Sequence, residues 1–262
     1  MTARLLNIGC GATLHPEWLN VDLEPLAPGV QRLDVRQPLP FADGSFNAVY
    51  CSHVLEHLRR EDAARLLAGM RRVLRPAGVI RLAVPDLEAI AREYVAILDA
   101  MARGEHRAKE HEWIVLEMFD QFARDESGGA MADYLADPAR GGSSFVRARV
   151  GEPAAPRGGF HAAGALRALR QRLARWAAAA VGGRAASDAL REGYFRQSGE
   201  VHRWMYDAYS LKRALSEAGF VNVQRRTAFE SAIPGFDRYR LDVDEAGNVR
   251  KPDSLFMEAQ AA

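Results

Sequence analysis

Two clusters of residues carry chemistry by their types and spacing. In the first, the short apolar run Leu5-Leu6-Asn7-Ile8 is stopped by Gly9-Cys10-Gly11, as expected of a buried parallel strand entering a glycine-rich turn. Glycines at such a turn let the backbone approach a ligand closely. A dinucleotide site wants a third glycine three residues later and an acid about 20 residues further on. Position 14 is Leu14, Asp22 comes too soon for a full crossover helix, and no Gly-Lys-Ser/Thr follows for a triphosphate. The turn therefore suits a nucleoside without phosphates. Asp22 and Asp34 then stand at successive strand ends, where one carboxylate accepts two hydrogen bonds from a ribose diol and the other accepts from the exocyclic amine of adenine.

The second cluster, His53-Val54-Leu55-Glu56-His57, fits the H-x-x-E-H pattern of one metallopeptidase class, in which two histidines bind zinc and the glutamate activates water. On a helix His53 and His57 share a face, so ligation is sterically allowed. The pentapeptide, however, opens a helix straight after a predicted parallel strand, at the sheet edge where ligand-lining residues sit. The expectation is no metal, with a zinc hydrolase built on His53, Glu56 and His57 as the rival enzyme class.

The elements that must position these residues are short strands alternating with turns and helices. Asn20–Leu23 and Val30–Val35 are predicted strands, Phe46–Cys51 alternates as a strand, a helix runs from about Val54 to Leu74 until Pro76 and Gly78, and Val79–Val84 is a further strand. From 91 to 203 the chain turns to Ala-, Arg- and Glu-rich stretches broken by Gly-Gly pairs, a helical insertion. Ser210–Ala218 reads as a helix stopped by Gly219, and Phe220–Val223 and Ser254–Ala259 return to strands. The fold class is α/β, doubly wound, with the sheet domain made of 1–90 and 204–262.

With Leu6-Asn7-Ile8-Gly9-Cys10-Gly11, Asn20-Val21-Asp22, Asp34-Val35, Leu39 to Phe46 and Ser52 to Leu58 in place, the sequence resembles the class I S-adenosylmethionine-dependent methyltransferases of the small-molecule type 11 group. The resemblance implies a mostly parallel, seven-stranded Rossmann-like sheet with S-adenosylmethionine over its first strands. Asn7, Gly9, Cys10 and Gly11 would lie near the methionine part, Asp22 and Leu23 at the ribose, Asp34 and Val35 at adenine, and Ser52 and His53 beside them. Asn7 departs from the more usual acid, and the crossover from Ala12 to Leu19 is short. The segments His202 to Asp207, Leu215 to Val223, Lys251 to Leu255 and Trp113 to Gly129 are similar to a bacterial subgroup often associated with surface-polysaccharide genes.

Methyl transfer from a sulfonium needs alignment more than covalent help, while a hydroxyl acceptor gains from a base. His53 and His57 stand where that base belongs, and His202 is a second candidate. Glu117, Asp120, Gln121 and Arg124 form an i, i+3, i+4, i+7 stripe on a helix from about Glu105 to Asp125, read here, with Trp204 and Tyr206, as lining a glycan or other small-molecule acceptor. A catalytically silent nucleoside-binding protein of the same fold is the remaining alternative.

The formal charge of +1 gives no reason to expect nucleic acid. It conceals Arg147–Arg203, where eleven arginines face four acids. Leu166, Leu169, Leu173 and Trp176 share one face of an Arg-rich helix there. This helix is expected to pack on the chain's own domain or on a second copy in a homodimer, the alternative being contact of residues 160–181 with an anionic membrane. No apolar run approaches the roughly 20 residues of a membrane span and the start lacks a signal-peptide pattern, so the expected location is cytoplasmic. Cys10 and Cys51 are too few for a disulfide framework and are expected to be reduced thiols beside the cofactor.

Overall fold

The short apolar runs at the start of the chain become the centre of the sheet. In the computed structural model, which describes residues 4–151 and 162–262 without the side chains of 162–168, β1 (Leu5–Ile8) is buried along its whole length. It lies between β2 (Trp18–Asp22) and β4 (Phe46–Ser52), with Ile8 opposite Val21 on one side and Cys51 on the other. β3 (Gln31–Arg32), β5 (Leu74–Pro85), β6 (Phe220–Arg226) and β7 (Ser254–Ala261) complete a seven-stranded sheet of order β3-β2-β1-β4-β5-β7-β6. β1 to β5 pair in parallel, and β7 runs antiparallel to both of its neighbours. The expected mostly parallel Rossmann-like sheet is thus present.

Continuous burial of the central strands follows from cover on both faces. On one face, α1 (Arg60–Val73) presents Ala63, Leu66, Leu67, Met70 and Val73, spaced as one side of a helix. α8 (Ala208–Glu217) adds Leu211 and Leu215 to the same core. Its start is fixed by a capping box between Asp207 and Ser210. On the other face, Trp18, Tyr50, Phe236, Tyr239 and Leu241 form a second apolar cluster with β1.

Between β5 and α8 lie α2 (Leu87–Ala102), α3 (Ala108–Ala123), α4 (Gly129–Ala136), α5 (Pro138–Gly141), α6 (Ser144–Val150) and α7 (Ala162–Arg196). Ile90 and Ile97 of α2 pack on Ile114 of α3, while Trp113, Tyr134 and Val146 tie α3, α4 and α6 together. α7 is broken at Gly183, whose backbone is not helical. The Gly158-Gly159 pair and residues 160–161 of the basic stretch lie outside the described residues, as do the side chains of Leu166 and Arg167.

Two expected elements change. The helix expected from Val54 is a 3-10 turn at Leu55–His57 followed by α1 from Arg60, and Pro76 and Gly78 lie within β5 rather than after a helix end. The strand expected over Val30–Val35 pairs only at Gln31–Arg32, because Asp34 turns back to bind the backbone and side chain of Arg36. Between β1 and β2 no helix forms. Asn7 Nδ2 instead donates to Asn20 Oδ1 and to the Thr13 carbonyl, and Asn20 Nδ2 donates to the His15 and Trp18 carbonyls. An amide at position 7 both donates and accepts, which an acid cannot do, so the unusual Asn7 and the short crossover explain each other.

Candidate active site

The carboxyl ends of the parallel strands collect at one edge of the sheet, which is where an open α/β sheet binds ligands. Gly9 and Gly11 both have positive φ, at 67° and 51°. Their needs differ. A Cβ on Gly9 would lie 2.2 Å from Val54 Cγ2, so this glycine admits the chain after β4, whereas a Cβ on Gly11 would meet nothing within 4 Å and faces open space.

Asp22 closes the turn: Oδ2 accepts from the Gly11 N–H at 2.9 Å and Oδ1 from the Glu24 N–H at 2.9 Å. Each oxygen keeps a lone pair, enough for a diol. Leu23 follows it, half-buried. Asp34 is held in a two-point pair by Arg36 at 2.8 and 2.7 Å, and that hydrogen bonding lowers its pKa. An adenine amine there shares the carboxylate with Arg36. Val35 packs against the main core. Asn7 Oδ1 is buried and has no hydrogen-bond partner among the described residues. It is an acceptor beneath the glycine turn, suited to an ammonium group. Open space over Gly11, an unsatisfied acceptor at Asn7 and a carboxylate at Asp22 fit S-adenosylmethionine.

Cys10 and Cys51 are buried free thiols. Burial, then the charge of Asp22, pushes the Cys10 thiol up to about 12. Cys51 is raised further, by burial and then Glu56.

β4 ends at Ser52, and the next residue departs from the helix that the sequence suggests. The His53 N–H extends the β4–β5 ladder to the Ala83 carbonyl at 2.8 Å, and the residue takes a left-handed φ of 53°. This reversal parts the two histidines of the H-x-x-E-H pattern, so they do not share a helical face. His53 Nε2 lies 2.7 Å from Ser254 Oγ of β7, and its Nδ1 lies 3.1 Å from Glu56 Oε1. That second contact has ion-pair distance without hydrogen-bond direction. His57 instead turns toward His202, the rings 4.8 Å apart at their centroids.

Glu56 is 0% exposed, and neither oxygen finds a directed hydrogen bond among the described residues. Burial pushes its pKa up, but His53, His57 and His202 more than offset that and leave it at about 2. The His202 pKa is lowered too, to about 3, chiefly by burial, which favours the uncharged ring. A fixed anion therefore faces a neutral imidazole. The segment carrying His202 is pinned: Arg203 and Trp204 N–H both donate to the Glu56 carbonyl, at 2.6 and 3.2 Å, and the His202 N–H donates to the Gln121 carbonyl at 2.9 Å.

His53 and His57, close in sequence, and the distant His202 are thus gathered around one carboxylate. The acceptor stripe is not exposed as a face. Glu117 is buried, bound by Trp113 Nε1 and twice by Arg149, with its pKa raised by burial against the Arg149 pairing. Asp120 pairs with Arg124 at 2.5 Å and accepts from the Ala130 N–H, while Arg124 also reaches Glu200. These three brace the helices. Tyr206 is buried in the main core, its hydroxyl pushed up to about 12 by burial and by Glu56. Trp204 is 39% exposed, with the Arg60 guanidinium 4.6 Å over its ring. Ser254 and Asn20 were not singled out as site residues by sequence reading. Ser254 showed only as a strand start, and no local signal ties it to His53, 201 positions away.

Residues 6–82 match the type 11 family model described as a methyltransferase domain. No curated protein matches the chain. Among solved structures, an S-adenosylmethionine-dependent methyltransferase from Archaeoglobus fulgidus is 13% identical with a TM-score of 0.41, over 98% of this chain and 86% of that one. One from Thermotoga maritima is 12% identical with a TM-score of 0.41, over 99% of this chain and 83% of that one. The matched segment carries the glycine turn, Asp22 and the His53–His57 stretch on the expected sheet, and this part of the chain is similar to a methyltransferase domain.

Proposed function

We propose that the chain is a class I S-adenosylmethionine-dependent methyltransferase that acts on an oxygen of a glycan or other small-molecule acceptor, with His53 as the base. The observation that carries the reading is His53 at the end of β4, turned out of the helix by its backbone and held between Glu56 and Ser254. With the proton on Nδ1, facing the Glu56 carboxylate, Nε2 holds the lone pair that Ser254 Oγ now occupies. An acceptor hydroxyl replacing that serine contact gives its proton to Nε2. Glu56 fixes the tautomer and stabilises the imidazolium that forms, the role a buried carboxylate plays beside a histidine base. S-adenosylmethionine, held by Asn7, Gly11, Asp22 and Asp34, supplies a methyl group already activated on sulfur.

The helical segment 91–203 covers the acceptor side in this reading, bringing His202, its N–H on the Gln121 carbonyl, beside Glu56 and leaving Trp204 partly open. An exposed indole beside a polar site suits the apolar face of a sugar ring. Along α7, Leu169, Leu173 and Trp176 are exposed on one stripe, with Arg170 and Arg172 to its sides, which supports contact with an anionic membrane. Among the described residues no helix is long and apolar enough to cross one.

A methyl-transfer screen with labelled S-adenosylmethionine across sugars, lipids and small metabolites tests the acceptor class. His53→Ala is expected to lower turnover about 100-fold or more while calorimetric S-adenosylmethionine affinity stays within about threefold. Unchanged turnover in that variant removes His53 as the base, and transfer to nitrogen or carbon alone removes the oxygen acceptor.

A further inference from the structure

Glu56, His57 and His202 each bring one ligating atom to within 4.8 Å of the other two, and we propose that together they bind a divalent transition-metal ion of the zinc class. This is not the arrangement the H-x-x-E-H spacing suggests, since His53 is directed away to Ser254 and His202 comes from a segment 145 positions beyond His57.

The first support is Glu56 itself. A fully buried carboxylate without directed hydrogen bonds is among the costliest groups a fold can hold, and it calls for a cation. His53 Nδ1 stands 3.1 Å from Oε1, and neither oxygen has a directed hydrogen bond among the described residues. The second is the orientation of His57. Its Nδ1 lies 3.4 Å from the Val201 carbonyl, a contact that orients the ring toward the cluster. A backbone carbonyl behind a histidine is the usual outer partner of a metal-bound imidazole. The third is preorganisation. His202 is buried, its ring held between His57 and Phe122 at centroid distances of 4.8 and 5.8 Å. The backbone bonds from 202–204 to Gln121 and Glu56 lock the two ligand-bearing segments together.

Two imidazole nitrogens and one carboxylate oxygen form the donor set of zinc centres that keep a position open. Donors around a tetrahedral zinc stand about 3.4 Å apart, so binding draws the three together by roughly 1 Å, within reach of side-chain rotation. An acceptor hydroxyl in the open position would lose its proton more readily. That consequence rests on the proposed oxygen methylation, whereas metal binding does not.

The test uses the full chain purified without metal-affinity chromatography. Elemental analysis is followed by Zn2+ titration against a chromophoric chelator, with circular dichroism confirming that each variant is folded. About one zinc per chain is expected, with Kd below about 1 μM, weakened about 100-fold or more in Glu56→Gln, His57→Ala and His202→Ala and less than about threefold in His53→Ala. On the wild-type chain, Co2+ should give the visible bands of a four- or five-coordinate ion, displaced by Zn2+. Absence of saturable binding of Zn2+ or Fe2+ below about 10 μM overturns the site, as does wild-type affinity in both histidine variants. The readout is binding, so a negative result leaves the methyl-transfer reading standing, and an inactive base variant leaves the metal site standing.

Discussion

Residues that look equivalent in the sequence do different jobs. Gly9 makes room for Val54, while Gly11 opens toward the ligand, and Gly-x-Gly spacing alone does not separate packing from binding. Cys10 lies between them, and its environment makes a prediction. Its pKa is raised from 9.0 to about 12 by burial and then Asp22, so at pH 8 its thiolate fraction falls about a thousandfold below that of the unfolded chain. Alkylation with iodoacetamide in native conditions should be slower by that order than in urea, and should keep rising with pH beyond 9. A native rate equal to the unfolded one removes the assignment. The linkage has a definite sign: the folded value is raised, so the stabilisation is complete below about pH 9 and is lost as pH climbs toward 12. The sequence showed Asp22, Asp34 and the histidines because carboxylates and imidazoles announce themselves by type. It did not show that Asp34 is shared with Arg36, that Glu117 and Asp120 are occupied inside the helical layer, or that Ser254 reaches His53. Those facts depend on partners that only the folded chain supplies.

Elements were legible where burial is periodic and illegible where backbone geometry is local. α1 and α8 could be read from apolar spacing, and β1 and β4 from short runs bounded by turns. The stretch after β4 was misread because apolar Val54 and Leu55 continue a helical pattern, whereas the left-handed backbone of His53 breaks it. β3 shrank for a similar reason, since the Asp34–Arg36 turn competes with strand pairing. α7 carries the prediction at this scale. Its exposed Leu169, Leu173 and Trp176, 53%, 58% and 74% accessible, lie between arginines. Vesicles with about a third phosphatidylglycerol should retain the protein at low salt, phosphatidylcholine vesicles should not, and Trp176→Glu should abolish retention. Equal partition to both kinds of vesicle, or to neither, rejects the membrane contact.

Across the whole molecule, one face of the sheet is tied to the segment between β6 and β7 by a charge buried on it. Arg81 of β5 is fully buried, bonded to Asp242 at 2.6 Å, to Glu258 at 2.9 Å and to the carbonyls of Glu230 and Thr227. Tyr50 donates to the same Asp242 at 2.6 Å, and the rings of Phe236 and Phe256 flank the guanidinium. Arg81→Met leaves buried Asp242 without its cation and Glu258 with Arg226 alone, and should cost about 3–5 kcal/mol in urea unfolding. A loss under about 1 kcal/mol would show that the network is not needed for stability. Nothing in the local sequence pairs Arg81 with residues 161 and 177 positions away, and a lone arginine in an apolar strand was the only trace. The position of β7 has its own consequence. It is the seventh strand to be synthesised, yet it sits between the fifth and the seat of the sixth. While the chain is being made, the apolar edge of β5 emerges long before the strand that covers it, and β6 has no sheet to join. Assembly must wait for that late arrival. The nascent chain carries an open sheet edge throughout the production of the helical segment, an edge of the kind on which another strand can pair.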